Sequence, residues 1–363
     1  MSGLSIPFTG LKKQYHNLRQ EILDATDEVL RSGQLMNGNQ TAEFENWLAK
    51  KNKVKYAVTV HSGTSALECL AEYYATDSSV VPPRVLIPTM TYFATANAFQ
   101  RAGWDIHFVD VDAHGVIDYR KIPDVSYQAV VAVGLYGHSV QHVSEVKLWR
   151  MLLSGGMTMI EDAAQHWLAD DCQRIGPAAI SFDPMKNLPC YGNGGAIVTQ
   201  DSDLLHFARA WRDNGKTSHT DTGTNSRMSE LDCAHLMVKT KYLDQWQKRR
   251  KEIAGYWLER LKNTGIRCLI NKDNKNNHAY HKFVIDIEHR NTIQETLLQH
   301  RIETKVHYHQ PLHEIGVFRQ WPGPDILSLG SALSRRVLSL PFYPELSDLE
   351  VEYIIDQLLD AAQ

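Results

Sequence analysis

Short apolar segments alternate with helical segments between residues 55 and 162 of the chain. The apolar segments are nearly continuous, which is typical of strands that are covered on both faces. Strands that alternate with helices favour a parallel sheet with helices packed against it. We therefore predict an α/β fold with a mostly parallel central sheet flanked by helices. The predicted strands are KYAVTV, RVLIP, DIHFVDV, AVVAVGL and MTMIED, and the helices GTSALECLAEYYA and FATANAFQRAG follow the first two.

The segments on either side of this region differ from it. Two helices are predicted before it, over residues 12–31 and 41–52, and Thr41 is the expected N-cap of the second. A long, highly charged helix is predicted from about 230 to 262 and resembles a connector. The later elements are a strand at 278–287, a helix at 293–302, a strand at 303–309 and a last helix capped by Ser347 or Asp348.

This change in pattern predicts two domains. The first is a large α/β domain over residues 1–235, with the N-terminal helices included. The second covers residues 236–363 and contains the connector helix and a smaller α+β domain.

Charge and cysteine content narrow the possible partners. The formal net charge of −4 over 363 residues provides no basic surface for nucleic acid. No apolar stretch is long enough to cross a bilayer, and the start MSGLSIPFTG lacks the features of a signal peptide. Five scattered cysteines without a CxxC pair predict neither a disulfide framework nor a zinc ribbon. We expect a cytoplasmic protein with no nucleic-acid or membrane partner.

Three positions suggest chemistry, and each has an ordinary structural alternative. Gly63, Thr64 and Ser65 lie where a strand ends and a helix begins. They either bind an anion at the helix N-terminus or only cap the helix. Asp162 ends an apolar strand, where a functional carboxylate or an N-cap is expected. Lys186 lies between a proline turn and a glycine cluster. It is either a buried nucleophile or an ordinary surface lysine.

Together these positions match the needs of pyridoxal phosphate. A lysine can hold this cofactor as a Schiff base, a carboxylate can keep the pyridine nitrogen protonated, and a helix N-terminus can bind the phosphate. The combination therefore predicts a pyridoxal phosphate site built from Lys186, Asp162 and the start of the helix at Gly63.

The chain also resembles the DegT/DnrJ/EryC1/StrS family of nucleotide-sugar aminotransferases, which have the fold type I, aspartate-aminotransferase-like architecture. The resemblance rests on motifs that follow the family's order along almost the whole chain. They are SGTSAL at 62–67, PTMTYFATANA at 88–98, EDAAQ at 161–165, SFDPMKNL at 181–188 with GNGGAIVT after it, GTNSRMSEL at 223–231 and HQPLH at 309–313.

This resemblance implies roles for single residues around the cofactor. Lys186 matches the Schiff-base lysine, and Asp162 matches the carboxylate on the pyridine nitrogen. Gln165 matches the residue near the phenolic oxygen of the ring, and Tyr92 matches the aromatic residue stacked on the ring face. Ser181 matches a phosphate-binding serine.

Further matches concern the phosphate, the partner subunit and the substrate. The phosphate cradle matches Gly63, Thr64 and Ser65. Asn225 matches a residue that reaches the phosphate from the partner subunit, which implies a homodimer whose active site is completed by that subunit. His309 and His313 are expected beside the substrate, because HQPLH belongs to the family pattern; no metal site is predicted there.

The resemblance implies a pyridoxal-phosphate-dependent aminotransferase. The amino group would come from L-glutamate and go to a keto group of a nucleotide-linked deoxysugar. Sugar dehydratases of the same family typically have histidine at the lysine position, so Lys186 favours transamination.

Departures from the family pattern keep a non-catalytic homologue open as an alternative. The segment HWLADD at 166–171 is bulky where the family has small residues, and DPMK at 183–186 replaces a more common pattern. The sugar, the nucleotide and the position of amination stay open.

Overall fold

The structure, a computed structural model, describes residues 4–76, 80–122, 126–140, 156–169, 174–216, 222–270, 277–319 and 327–363. Its central feature is a seven-stranded sheet with the strand order β1-β7-β6-β5-β4-β2-β3. β7 is antiparallel to both of its neighbours, and all other neighbours are parallel. The predicted mostly parallel sheet is therefore confirmed. The strands are β1 (Tyr56–Val60), β2 (Arg84–Pro88), β3 (Asp105–Val109), β4 (Ala129–Val133), β5 (Thr158–Asp162), β6 (Ala178–Ser181) and β7 (Gly195–Thr199).

Helices and apolar side chains cover both faces of this sheet. Val85 and Ile87 of β2 belong to one buried cluster, whereas Leu86 between them belongs to another. Burial on both faces explains why these strands are apolar throughout rather than alternating. The helices are α1 (Leu11–Ser32), α2 (Asn39–Lys51), α3 (Gly63–Thr76), α4 (Phe93–Arg101), α5 (Ser202–Trp211), α6 (Glu230–Thr240), α7 (Leu243–Arg260), α8 (Arg290–Gln299), α9 (Ser328–Arg336) and α10 (Asp348–Ala361).

A second, antiparallel sheet lies in the C-terminal part. Its strands are β8 (Arg267–Cys268), β9 (Phe283–Asp286) and β10 (Val337–Leu340), in the order β10-β9-β8. Trp257 of α7 is fully buried against it and donates from Nε1 to the carbonyl of Val351 in α10 at 2.9 Å. The same buried cluster includes Ile6 and Leu135, so packing crosses the division predicted at residue 235, and that division stays a prediction.

The predicted single helix over 230–262 is wrong, because the structure has two helices with a break at Lys241 and Tyr242. Both side chains at the break bind Glu21 of α1: Lys241 Nζ lies 3.1 Å from Glu21 Oε2, and Tyr242 Oη donates to Glu21 Oε1. Contact with α1 therefore overrides a helical preference that is continuous in the sequence.

The strand predicted at 303–309 is also wrong. The backbone of this segment bonds to three different parts of the chain, so no continuous ladder forms. Glu303 N donates to Ile6 O at 3.0 Å, Lys305 pairs with Ser339 as an isolated bridge, and Tyr136 Oη donates to the carbonyl of His307. The strand predicted at 278–287 is real but shorter, since only β9 is extended.

The start of α2 differs from its prediction in a way the local sequence could not show. The N-cap is Gly38, not Thr41, and no side chain of α2 caps the helix. The buried carboxylate of Glu230 in α6 accepts from the backbone N of Gly38 (2.9 Å), Gln40 (2.8 Å) and Thr41 (3.0 Å). A distant carboxylate thus supplies the cap.

The predicted last helix is confirmed with its cap. Ser347 Oγ accepts from Glu350 N, and the Glu350 side chain accepts from Ser347 N, which together form a capping box. None of the helices in the described ranges combines the length and apolar character required to cross a membrane.

Candidate active site

Lys186 lies in the loop that joins β6 to β7. The two strands pair antiparallel up to Ser181 and Gly195, so the loop leaves and returns at one place on the sheet. Asp183 shapes its first turn: its carboxylate accepts from Met185 N at 2.9 Å, and its carbonyl accepts from Lys186 N at 2.8 Å. The turn therefore holds Lys186 beside the carboxyl ends of the parallel strands, where α/β sheets place ligands.

Asp162 is the last residue of β5 and lies at the same end of the sheet. Its side chain is buried and is held by two hydrogen bonds. Thr95 Oγ1 of α4 donates to Asp162 Oδ2 at 2.7 Å, and Ala164 N donates to Oδ1 at 3.2 Å. These contacts fix the orientation of the carboxylate in the cavity wall.

The start of α3 approaches the loop of Lys186 closely. Ser62 Oγ accepts from Ser65 N at 3.0 Å and so caps the helix. A Cβ atom on Gly63 would lie 2.7 Å from Ser181 Cβ, so only glycine lets the helix begin this near to β6. The positive end of the helix dipole and its free amide groups favour an anion here.

Two further predicted residues are positioned by neighbouring side chains. Gln165 Oε1 accepts from Tyr136 N at 2.8 Å, while its Nε2 donates to Tyr308 Oη at 3.4 Å. Tyr92 directly precedes α4, and its ring centroid is 5.9 Å from that of Tyr308. The amide of Gln165 and the ring of Tyr92 therefore both lie next to Tyr308.

One cavity unites most of the residues singled out in the sequence. It is lined by Gly63, Thr64, Tyr92, Asp162, Gln165, Ser181 and Lys186. These residues come from four separate segments of the chain, and the sheet brings them together because parallel strands end at a common edge.

Four predicted residues do not line this cavity. Ser65 hydrogen-bonds to Ser62 instead, at 3.0 Å between the two hydroxyl oxygens. Asn225 is exposed, and its Oδ1 accepts from Arg227 Nη2 at 3.3 Å. His309 is exposed, and His313 Nδ1 bonds to the hydroxyl of Thr89. The roles predicted for these four residues stay predictions.

The cavity also contains residues that sequence analysis did not select. The polar ones with side chains from other segments or loops include Asn193, His281, Lys282, His307 and Tyr308. All but Asn193 come from the segments HAYHKFVIDI and ETKVHYH, which were interpreted only as strands. The available signal was the polar pair His281 and Lys282, which directly precedes the apolar run FVI.

The bulky segment after Gln165 packs into the core and stays out of the cavity. Trp167 is buried, with ring centroids 6.1 Å from Phe182 and 6.4 Å from Trp47. Neither Trp167 nor Leu168 lines the cavity, and positions 170 and 171 lie outside the described residues. By contrast, Asp183 and Met185 of the unusual DPMK sequence do line it.

The electrostatics of the cavity suit an amine nucleophile. Burial lowers the pKa of Lys186, although the carboxylates of Asp162 and Asp183 oppose this effect. A lowered pKa increases the fraction of neutral amine, the form that attacks carbonyl groups. Within the described ranges, no hydrogen bond or ion pair occupies the Lys186 side chain.

These features fit pyridoxal phosphate. Lys186 offers an amine without a partner in the described residues, Asp162 offers a fixed carboxylate, and the start of α3 offers an anion site with no room for a side chain at Gly63. Over the same described ranges, no group of three or more His, Cys, Asp or Glu side chains is arranged to hold a metal ion.

Comparison with known proteins gives a consistent result. Residues 16–359 match the sequence profile described as the DegT/DnrJ/EryC1/StrS aminotransferase family. The chain is 32% identical to dTDP-3-amino-3,6-dideoxy-alpha-D-galactopyranose transaminase of Aneurinibacillus thermoaerophilus, over 97% of this chain and 98% of that protein. It is 31% identical to a pleiotropic regulatory protein of Geobacillus stearothermophilus, over 98% of each.

A solved structure agrees in fold. The crystal structure of DesV from S. venezuelae, in complex with a ketimine intermediate, superposes with a TM-score of 0.91. The two chains are 31% identical, and the match covers 99% of each. The sheet, the cavity at its carboxyl edge and these similarities lead to one conclusion: the chain belongs to the DegT/DnrJ/EryC1/StrS aminotransferase family.

Proposed function

We propose that this protein is a pyridoxal-phosphate-dependent aminotransferase that moves an amino group from L-glutamate to a keto group of a nucleotide-linked deoxysugar. The observation that carries the proposal is the amine of Lys186, which shares one cavity with the carboxylate of Asp162 and the start of α3. The name of the Aneurinibacillus relative supports the substrate class. When bound, pyridoxal phosphate supplies a carbonyl that reacts with amines and a ring that accepts electrons.

Lys186 has two tasks in this proposal. Its Nζ would hold the cofactor. As a free amine it would take the proton from the α-carbon of the donor, and in the second half-reaction the protonated amine would deliver a proton to the sugar carbon that receives the amino group. The lowered pKa of Lys186 suits both tasks, because a neutral amine is both nucleophile and base.

The other residues bind and orient. Asp162, held by Thr95 and Ala164, would keep a pyridine nitrogen protonated at a fixed position. The start of α3 and the hydroxyl of Ser181 would hold the phosphate. Tyr92, which is 56% exposed and lines the cavity, would stack its ring on the cofactor.

We also propose a homodimer in which Asn225 completes the site of the partner subunit. The side chain of Asn225 is exposed and does not reach the cavity of its own chain, as a residue that acts across an interface requires. In a symmetric dimer, each subunit would place its Asn225 at the active site of the other subunit.

A non-catalytic regulatory protein is the second candidate, because one relative is named a pleiotropic regulatory protein. Such a protein would bind the cofactor or a nucleotide sugar without turnover. The sugar dehydratase alternative is less favoured, since Lys186 occupies the position where that group typically has histidine.

The visible absorption spectrum separates these functions. Protein loaded with pyridoxal phosphate is expected to show the band of lysine-bound cofactor, and L-glutamate is expected to convert it to the pyridoxamine form. Lys186→Ala should lose the band and all turnover, whereas the exposed Lys305→Ala should keep both. Turnover by Lys186→Ala would refute the assignment, and a band that ignores every amino donor would favour the regulatory role.

Mixed dimers test the role of Asn225. Lys186→Ala and Asn225→Ala are each expected to be inactive as homodimers. If Asn225 acts across the interface, a dimer of the two variants contains one intact site, so mixing should restore part of the activity. Equal inactivity of the mixture would contradict the shared site.

A further inference from the structure

A second lysine, Lys282, lies in the wall of the proposed active site. It directly precedes β9, and its backbone N donates to the carbonyl of Tyr136 at 3.1 Å. The residue is 7% exposed and lines the cavity together with Lys186 and Asp162. Neither the cofactor chemistry nor the family motifs described above use this side chain.

The ammonium of Lys282 lacks an anionic partner. Across the described ranges, no carboxylate lies within the 4 Å expected of an ion pair, and no hydrogen bond from its Nζ is present. Its Nζ lies 5.5 Å from the centroid of the Phe8 ring. A buried cation without a partner is unfavourable, so the site is suited to an anion that arrives with a ligand.

The position of Lys282 limits which anion this can be. The cofactor phosphate is assigned to the start of α3 and Ser181. In a nucleotide-linked sugar, the phosphates are separated from the keto carbon by the sugar ring. In an amino acid donor, the carboxylate is bonded directly to the carbon whose proton Lys186 removes, so a cation in the same cavity as Lys186 suits this group best.

We propose that Lys282 binds a carboxylate of the amino donor and so positions the donor's α-carbon beside Lys186. This inference rests on the proposed aminotransferase function. A charge-assisted bond between a buried ammonium and a carboxylate is among the stronger polar contacts in proteins. Lys282 is then a determinant of donor specificity, and it excludes amines that have no carboxylate.

The charges around Lys282 couple the binding of the donor to the protonation of this lysine. Burial lowers the pKa of Lys282, and the positive charges of Lys186, Arg250 and Lys305 lower it further, whereas Asp183 raises it. Burial lowers the pKa of His281, which directly precedes Lys282, and of His307, and the positive charge of Lys282 lowers both further. A bound carboxylate favours the protonated form of Lys282 and raises its pKa again, so donor binding is linked to proton uptake.

Lys282→Met tests this role, with Lys305→Met as the matched control. Both lysines lie near the ring of Phe8, at 5.5 Å and 5.2 Å, but Lys305 is exposed and does not line the cavity. The probe is glutarate, which has two carboxylates and no amine to titrate. Calorimetry on cofactor-loaded protein, in two buffers of different ionisation enthalpy, measures both affinity and proton uptake.

We expect Lys282→Met to weaken glutarate binding about 10- to 100-fold and to reduce proton uptake, while the dissociation constant of the cofactor stays unchanged. Lys305→Met should bind glutarate like the wild type. Lys282→Gln, which keeps a polar group but no charge, is the second variant and should show the same loss.

Two negative results have different meanings. If the wild type responds to L-glutamate but Lys282→Met and Lys282→Gln bind glutarate with wild-type affinity, the role of Lys282 is refuted and the aminotransferase stands. If the wild type forms no lysine-bound cofactor or responds to no amino donor, the proposed function fails and this inference fails with it.

Discussion

Replacement of Gly63 by alanine is the most direct test of the phosphate site. The added Cβ would lie 2.7 Å from Ser181 Cβ and 3.2 Å from Ser181 Oγ. Contacts between carbon atoms are most favourable at roughly 3.5–4.0 Å, so either α3 or β6 must move by several tenths of an ångström. The strain falls between the two elements proposed to hold the phosphate.

Two opposing effects determine the size of the result. Alanine at the start of α3 gains at most about 1 kcal/mol of helix propensity over glycine. Overpacking of a well-filled site costs about 1–3 kcal/mol. The cost exceeds the gain, so we expect the free energy of unfolding to fall by about 1 kcal/mol and the dissociation constant of pyridoxal phosphate to rise roughly tenfold.

A titration of cofactor-free protein with pyridoxal phosphate, followed by visible absorbance, measures this constant. Gly192→Ala is the control, because a Cβ at that glycine of the neighbouring loop has no atom within 4 Å. The control should bind the cofactor like the wild type. Wild-type affinity in a folded Gly63→Ala variant would show that the start of α3 does not hold the phosphate.

Two further predictions concern stability. Burial lowers the pKa of Lys239 to about 8; between that pH and 10.5 the unfolded chain binds more protons, so the free energy of unfolding rises with pH. Lys239→Met should remove about 3 kcal/mol of this rise between pH 8 and 10.5. Urea unfolding of the wild type and the variant at several pH values measures it, and free energies of unfolding that change with pH equally in both proteins would contradict the prediction. Glu230→Gln should lower the free energy of unfolding by about 2–3 kcal/mol, because amide N–H donors of α2 lose a buried carboxylate. The exposed Glu43→Gln should change it by less than about 0.5 kcal/mol, and equal effects of the two variants would refute the capping role.

The strands of the large sheet were predictable because their cause is local. Burial on both faces requires apolar residues at every position, and this is visible in RVLIP, whose predicted and observed limits are the same. The last helix was predictable for a similar reason, since the capping box of Ser347 and Glu350 spans only one turn.

Errors occurred where distant contacts decide the local structure. Glu21 accounts for the break between α6 and α7, and Glu230 supplies the cap of α2. In both cases the deciding carboxylate is far away in the sequence, so no window of neighbouring residues contains it.

The candidate site shows the same division. The residue types, the order of the motifs and the apolar strands were determined by the sequence alone, and they are sufficient to indicate the family, the sheet and the importance of Lys186 and Asp162. Only the tertiary structure decided which side chains share the cavity. It brought in Lys282 and left out His309, because side chains separated by many residues meet only where strand ends and loops pack together.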